Sequence, residues 1–226
     1  MPYFGIFFEK IALFPLIVMV SFSFAIFARF YRNKLWEIVS FITCIYALWD
    51  LKKYWISYDN LFIWSGVAVL AIVLWFLLHI LTKQLSYDFI KRRIHWFQFY
   101  VCVLLSAMLL TTVIKMVWGR IRYRQLEHAL QFVPWYQIRL FSGNVSFPSG
   151  HTTAFSAILC FLEWKENPYE KVPKWKFFLI WGLLLAMPIS RMIQGAHYLS
   201  DTAVGFMITY TMYLVYRYWF RKRGYL

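Results

Sequence analysis

Long apolar runs fix what this chain can fold into. A bilayer core is ~30 Å thick and offers backbone groups no hydrogen-bond partner, so a spanning helix needs ~20 mostly apolar residues. Ile11–Ala28, Leu61–Leu81 and Trp96–Val117 are long and apolar enough to be read as spans. Four further runs repeat the pattern but are short or less strictly apolar: Leu35–Trp49, His151–Trp164, Phe177–Ile189 and Thr202–Phe220. The expectation is an all-α fold, a polytopic transmembrane helical bundle. Leu35–Trp49 is short enough to lie at the interface instead of crossing. With no Gly/Ser linker and no clear repeat, residues 1–226 read as a single membrane-embedded domain.

Composition agrees. The chain is 62% hydrophobic and only 15% charged, against about half and a quarter in soluble domains. A net charge of +14 can signal nucleic-acid binding. In so apolar a chain it reads as basic loops bordering a membrane, so no nucleic-acid partner is expected. Cys44, Cys102 and Cys160 lie in apolar runs without metal-ligand spacing and read as small buried hydrophobes. Met1–Lys10 lacks the features of a cleavable signal, so the first run is expected to stay in the mature protein.

Charge placement suggests an orientation. If seven runs alternate across the bilayer, fifteen of the 24 basic residues fall on one side, with the C-terminus. The positive-inside rule makes that side cytoplasmic. Six of the other nine cluster near three segments on the outer side, which calls for a local anionic partner.

These segments are Lys115 to Arg122 (KMVWGRIR), Pro148 to His151 (PSGH), and Ser190-Arg191 followed by His197 and Asp201. Lys115, Arg122 and Arg191 supply positive charge and donors suited to phosphate oxygens. Gly150 allows close backbone approach, and Ser149 with Gly150 opens a helical run whose free amides can meet an anion. His197 and Asp201 are four apart and share a helical face. A carboxylate there can hold one imidazole nitrogen and leave the other free to attack phosphorus. His151 is the candidate general acid. Asp201 is the one acid within the three segments, so neither a metal nor another cofactor is expected.

The three segments resemble the signature of the type 2 phosphatidic acid phosphatase superfamily, in the style of its small bacterial integral-membrane members. That signature is K-x6-R-P, P-S-G-H and S-R-x5-H-x3-D. Only Tyr123, standing where the family has Pro, departs from it. The motif-bearing core is about residues 96–220. The resemblance implies a six-helix core with room for one extra N-terminal span, and metal-independent phosphate chemistry. It implies that Lys115, Arg122, Ser149, Gly150 and Arg191 bind phosphate and that His197 forms a phosphohistidine. Asp201 would orient His197, His151 would protonate the leaving group, and Ser190 would support the site. The expected partners are the bilayer and a lipid phosphate: phosphatidic acid, phosphatidylglycerol phosphate or undecaprenyl pyrophosphate. Transfer of the phosphate to an acceptor other than water stays open, as does a non-enzymatic anion-binding or transport role.

Weaker expectations concern the surroundings. Arg120, Arg124 and Arg139 are read either as widening the anionic site or as contacts to lipid headgroups. Trp118, Phe132, Trp135 and Tyr136 are read as interfacial anchors. His79, His95 and His128, lacking partners at motif spacing, are read as structural or solvated.

Overall fold

The structure is a computed structural model. It describes residues 12–55, 61–140, 142–166 and 170–226. The expectation about Met1–Lys10 lies outside these residues. All seven apolar runs become helices: α1 Phe14–Tyr31, α2 Lys34–Trp55, α3 Leu61–Gln84, α4 Tyr87–Trp118, α5 Gly150–Ser156, α6 Lys174–Ile193 and α7 Leu199–Lys222. No strand occurs among the described residues. α5 continues as a 3-10 segment, Ala157–Glu163.

Four helices, α1, α3, α4 and α6, are long and apolar enough to cross a bilayer. Their outward side chains suit lipid and not water: Phe62, Leu109 and Leu185 are 83%, 69% and 64% exposed. The helix α2 has spanning length at 22 residues, but it includes Lys34, Glu37, Asp50, Lys52 and Lys53.

The chain divides into two compact units, Lys10–Val101 and a second containing Cys102–Leu226. In the first, Arg32 adopts a left-handed conformation and its amide caps Ala28 O, ending α1. Asn33 then starts α2 by accepting from the Leu35 amide at 2.9 Å. α1 and α2 are joined by Ser40 Oγ donating to Ser21 O at 2.8 Å and by the Phe24–Trp36 ring stack. Arg29 donates to Leu85 O at 2.8 Å and to Thr82 O. Those carbonyls lie at and just past the end of α3, where intrahelical partners run out.

In the second unit, α5 and α7 pack unusually closely. A Cβ at Gly205 would lie 2.7 Å from Ser149 O and 3.0 Å from Thr153 Oγ1. Only glycine permits that approach. Hydroxyls close the seam: Thr209 Oγ1 donates to Thr153 O at 2.7 Å, and Thr111 Oγ1 on α4 donates to Thr153 Oγ1 at 3.1 Å. At the far end of the 3-10 segment, buried Glu163 accepts from Tyr213 Oη at 2.7 Å and pairs with Arg217 and Arg221 at 2.7 and 2.8 Å.

Replacing Gly205 with Ala is expected to destabilise the protein by roughly 1–3 kcal/mol, the usual cost of overpacking. Nothing lies within 4 Å of a Cβ built at Gly182, so Gly182→Ala in α6 should be neutral or stabilising. Thermal midpoints in detergent check both, and a G205A midpoint equal to wild type would refute the steric reading.

Candidate functional site

The three segments singled out in the sequence meet at the first turn of α7, because of how the helices before it end. α4 stops at Gly119, whose φ is +62° and where a Cβ would collide with Arg139 O at 1.9 Å. Ser142 Oγ donates to Gly119 O at 2.8 Å, fixing the turn. Arg122 then takes an extended conformation, φ −76° and ψ 148°, and Tyr123 opens a short 3-10 turn. A proline at 123 would impose that same extended path on its predecessor. Tyr123 therefore leaves the path unchanged, and its ring packs edge-on against Tyr198 at 6.2 Å.

α6 ends in a Schellman motif. The amide of Gly195 donates to Met192 O at 2.9 Å and that of Ala196 to Arg191 O at 3.1 Å, with Gly195 at φ +61°. This reversal follows directly on Arg191 and delivers His197 to the start of α7. The Arg124 amide donates to Gly195 O at 2.8 Å, docking the loop after α4 on the same turn. The loop before α5 docks through the Ser149 amide, which donates to Asp201 O at 2.9 Å.

Asp201 is fully buried and its carboxylate is divided between two sets of partners. Oδ1 accepts from Arg120 Nη1 at 2.5 Å. Oδ2 accepts from Ser146 Oγ at 2.6 Å and from the Tyr198 amide at 3.1 Å, and lies 3.7 Å from His197 Nδ1. That last distance is too long for a hydrogen bond, and Nδ1 has no nearer polar partner among the described residues. His197 is only 4% exposed, and burial drives its pKa down to about 4. Asp201 pulls it back up, while Arg191 and Lys115 push it further down. Burial and the two cations together outweigh the one carboxylate, so the ring is neutral at neutral pH.

The remaining expected residues surround this pair. His151 lies in the electrostatic field of Arg191, His197, Lys115 and Arg122. Lys115 Nζ donates to Val145 O at 3.3 Å and hangs over Gly150, where it would stand 3.3 Å from an added Cβ. Arg191 is buried and donates to Gln194 Oε1 at 2.6 Å. Ser149 Oγ accepts from Thr152 N at 3.4 Å and Thr152 Oγ1 at 3.0 Å, so its hydroxyl is occupied as the N-cap of α5. Ser190 Oγ is buried without a hydrogen-bond partner among the described residues.

Arg120 requires a correction. It widens no anionic site and touches no headgroup: it is 2% exposed, bound to Asp201, and packed 3.9 Å over the Tyr198 ring. Arg139 is exposed on the loop, and exposed Arg124 borders a cavity of ≈ 820 Å³. Tyr123, Glu127, His128, Phe132 and Tyr198 also line that cavity. Sequence reasoning missed Ser146 and Gly205, while exposed His128 is solvated as expected. A glycine four residues after Asp201, on one face of α7, was a signal for close packing. Ser146 had none.

The PAP2 superfamily model matches residues 96–225 of the chain. The chain belongs to the PAP2 superfamily. Membership makes it a phosphatase of phosphate esters. No solved structure matches the chain. In this PAP2 protein the matched stretch nearly coincides with the Cys102–Leu226 part of the second compact unit.

The depressed His197 pKa gives a signed expectation. The neutral imidazole persists above pH about 4 and is lost as pH falls through that value. In a nitrogen-15 NMR titration of histidine-labelled protein, with His197→Gln assigning the signal, the midpoint should lie far below the ordinary ~6.5. A midpoint near 6.5 would contradict the dry, cationic environment described.

Proposed function

We propose that the protein removes the terminal phosphate from a membrane lipid phosphate or pyrophosphate through a phosphohistidine on His197. The single observation supporting this most strongly is the buried, neutral His197 facing Asp201 on one side, within the fields of Arg191 and Lys115. The proton of a neutral imidazole whose Nδ1 faces a carboxylate sits on that nitrogen, leaving the Nε2 lone pair available.

Nε2 attacks phosphorus while the bond from phosphorus to the lipid oxygen breaks. His151, half-buried among Arg191, Lys115 and Arg122 and therefore neutral before substrate arrives, takes the proton of the bound phosphate monoanion and passes it to that oxygen. The neutral His151 then takes a proton from the water that attacks the phosphohistidine and hands it to the departing inorganic phosphate, which returns both histidines to their starting states. Lys115, Arg122 and Arg191 balance the equatorial oxygens, with Ser149 and Gly150 at the amide end of α5. No step draws on a metal.

Phosphatidic acid, phosphatidylglycerol phosphate and undecaprenyl pyrophosphate are the substrates to compare. Asymmetry of basic residues supports an extracytoplasmic site and a cytoplasmic C-terminus in the cell membrane. The cavity beside Tyr198 is a suitable seat for the substrate portion next to the phosphate.

Protein purified in detergent should release phosphate from at least one of the three lipids with chelator present. His197→Ala should lower kcat by about 10³-fold or more, as loss of a covalent nucleophile does. Acid-quenched wild type fed labelled lipid phosphate should retain label that H197A does not. Undiminished turnover in H197A, or strict dependence on added magnesium, would overturn the mechanism.

A further inference from the structure

We propose that Arg120 is the positioning residue of the His197–Asp201 pair: it takes Oδ1 of the carboxylate and so turns Oδ2 toward His197. The inference rests on the phosphohistidine reading above and adds a group that lies outside the three segments' signature positions.

Arg120 is held from several directions. Nε donates to Val133 O at 2.8 Å, and Nη1 donates to Ser200 Oγ at 2.7 Å as well as to Asp201 Oδ1 at 2.5 Å. Its guanidinium carbon lies 3.9 Å from the Tyr198 ring centroid and 5.6 Å from that of Phe132. A guanidinium stacked on one ring and bonded to a carbonyl, a hydroxyl and a carboxylate has little freedom left. The carboxylate is fixed with it. Oδ2 is then set by the Ser146 hydroxyl and the Tyr198 amide, with His197 Nδ1 as its remaining neighbour. The work of the two arginines in the GRIR stretch thus divides. Arg122 contributes to the field at His151, while Arg120 neutralises the one buried acid of the site.

Burial makes this division consequential. Asp201 and Arg120 are both almost completely hidden, and removing one member of such a pair leaves an uncompensated charge. Without Arg120, the negative charge of Asp201 would act undiminished on His197. The other charged or titratable groups facing His197 are His151 on α5, Arg191 on α6 and Lys115 on α4. None of them moves in this account.

Four variants test it: Arg120→Lys, Arg120→Gln, Asp201→Asn and the double R120Q/D201N. Wild type is assayed first for phosphate release with chelator, so that failure of the phosphatase reading is seen separately. For R120Q, kcat should fall roughly 10- to 100-fold, the range seen when a group orienting a functional histidine is lost. KM should change little, because Arg120 does not touch substrate. R120K, which keeps the charge but not the planar fork, should recover part of kcat. The double variant should be no slower than D201N, since the two residues act as one unit. Independently of turnover, the His197 NMR midpoint should move to higher pH in R120Q. If R120Q does not fold, R120K supplies the kcat and KM test and D201N with the double variant supplies the coupling test. A KM increase at unchanged kcat, multiplicative losses in the double variant, or an unmoved His197 midpoint in folded R120Q would each overturn the proposal.

Discussion

A buried carboxylate has to be compensated, and the second unit is organised around that need. Asp201 sits in the first turn of α7 with no exposure to solvent. An isolated charge there would be prohibitively costly, so hydrogen bonds and an opposite charge must reach it from elsewhere in the chain. Arg120 comes from the turn after α4, Ser146 from the loop before α5, and the Tyr198 amide from the reversal after α6. The backbone carbonyl of Asp201 adds the Ser149 amide. One residue therefore draws together the three segments on which the proposed chemistry depends.

The same compensation shapes the electrostatics. With Oδ1 neutralised by Arg120, Asp201 only partly offsets the forces that keep His197 uncharged, namely burial and the charges of Arg191 and Lys115. A neutral imidazole among cations is a poor base but a good arrangement for receiving an anion. Incoming phosphate would bring the negative charge that the cluster lacks, and no proton need first leave His197. The close seam of α5 and α7 at Gly205 holds the Ser149–Gly150 end of α5 against this turn.

Much of this was legible in the residue order. Each of the seven apolar runs forms a helix, because each carries its own hydrophobic instruction. Between α4 and α5 only two short 3-10 turns occur among the described residues. His197 and Asp201 do meet locally, but His197 precedes the Tyr198 N-cap, so they share the start of α7 and not a helical face. Arg120 was misread because it looks, in sequence, like any other arginine in a basic stretch. Its partner lies 81 residues away. Ser146 and the residues around the cavity were silent for the same reason: their contacts join segments that no periodicity connects. Tyr123 shows the converse. An apparent departure in sequence becomes harmless once the extended backbone at Arg122 is seen.

By itself, then, the sequence determined the helices, the apolar character that commits them to a bilayer, and the membership of His197, His151, Asp201 and the three cations in one set. Helical period and hydrophobicity act over a few residues and can be read along the chain. Tertiary structure decided which arginine faces the acid, which oxygen of Asp201 faces His197, and how closely α5 may approach α7. Those outcomes depend on satisfying a buried charge and filling a particular volume. Such conditions are set by groups from distant segments meeting in space.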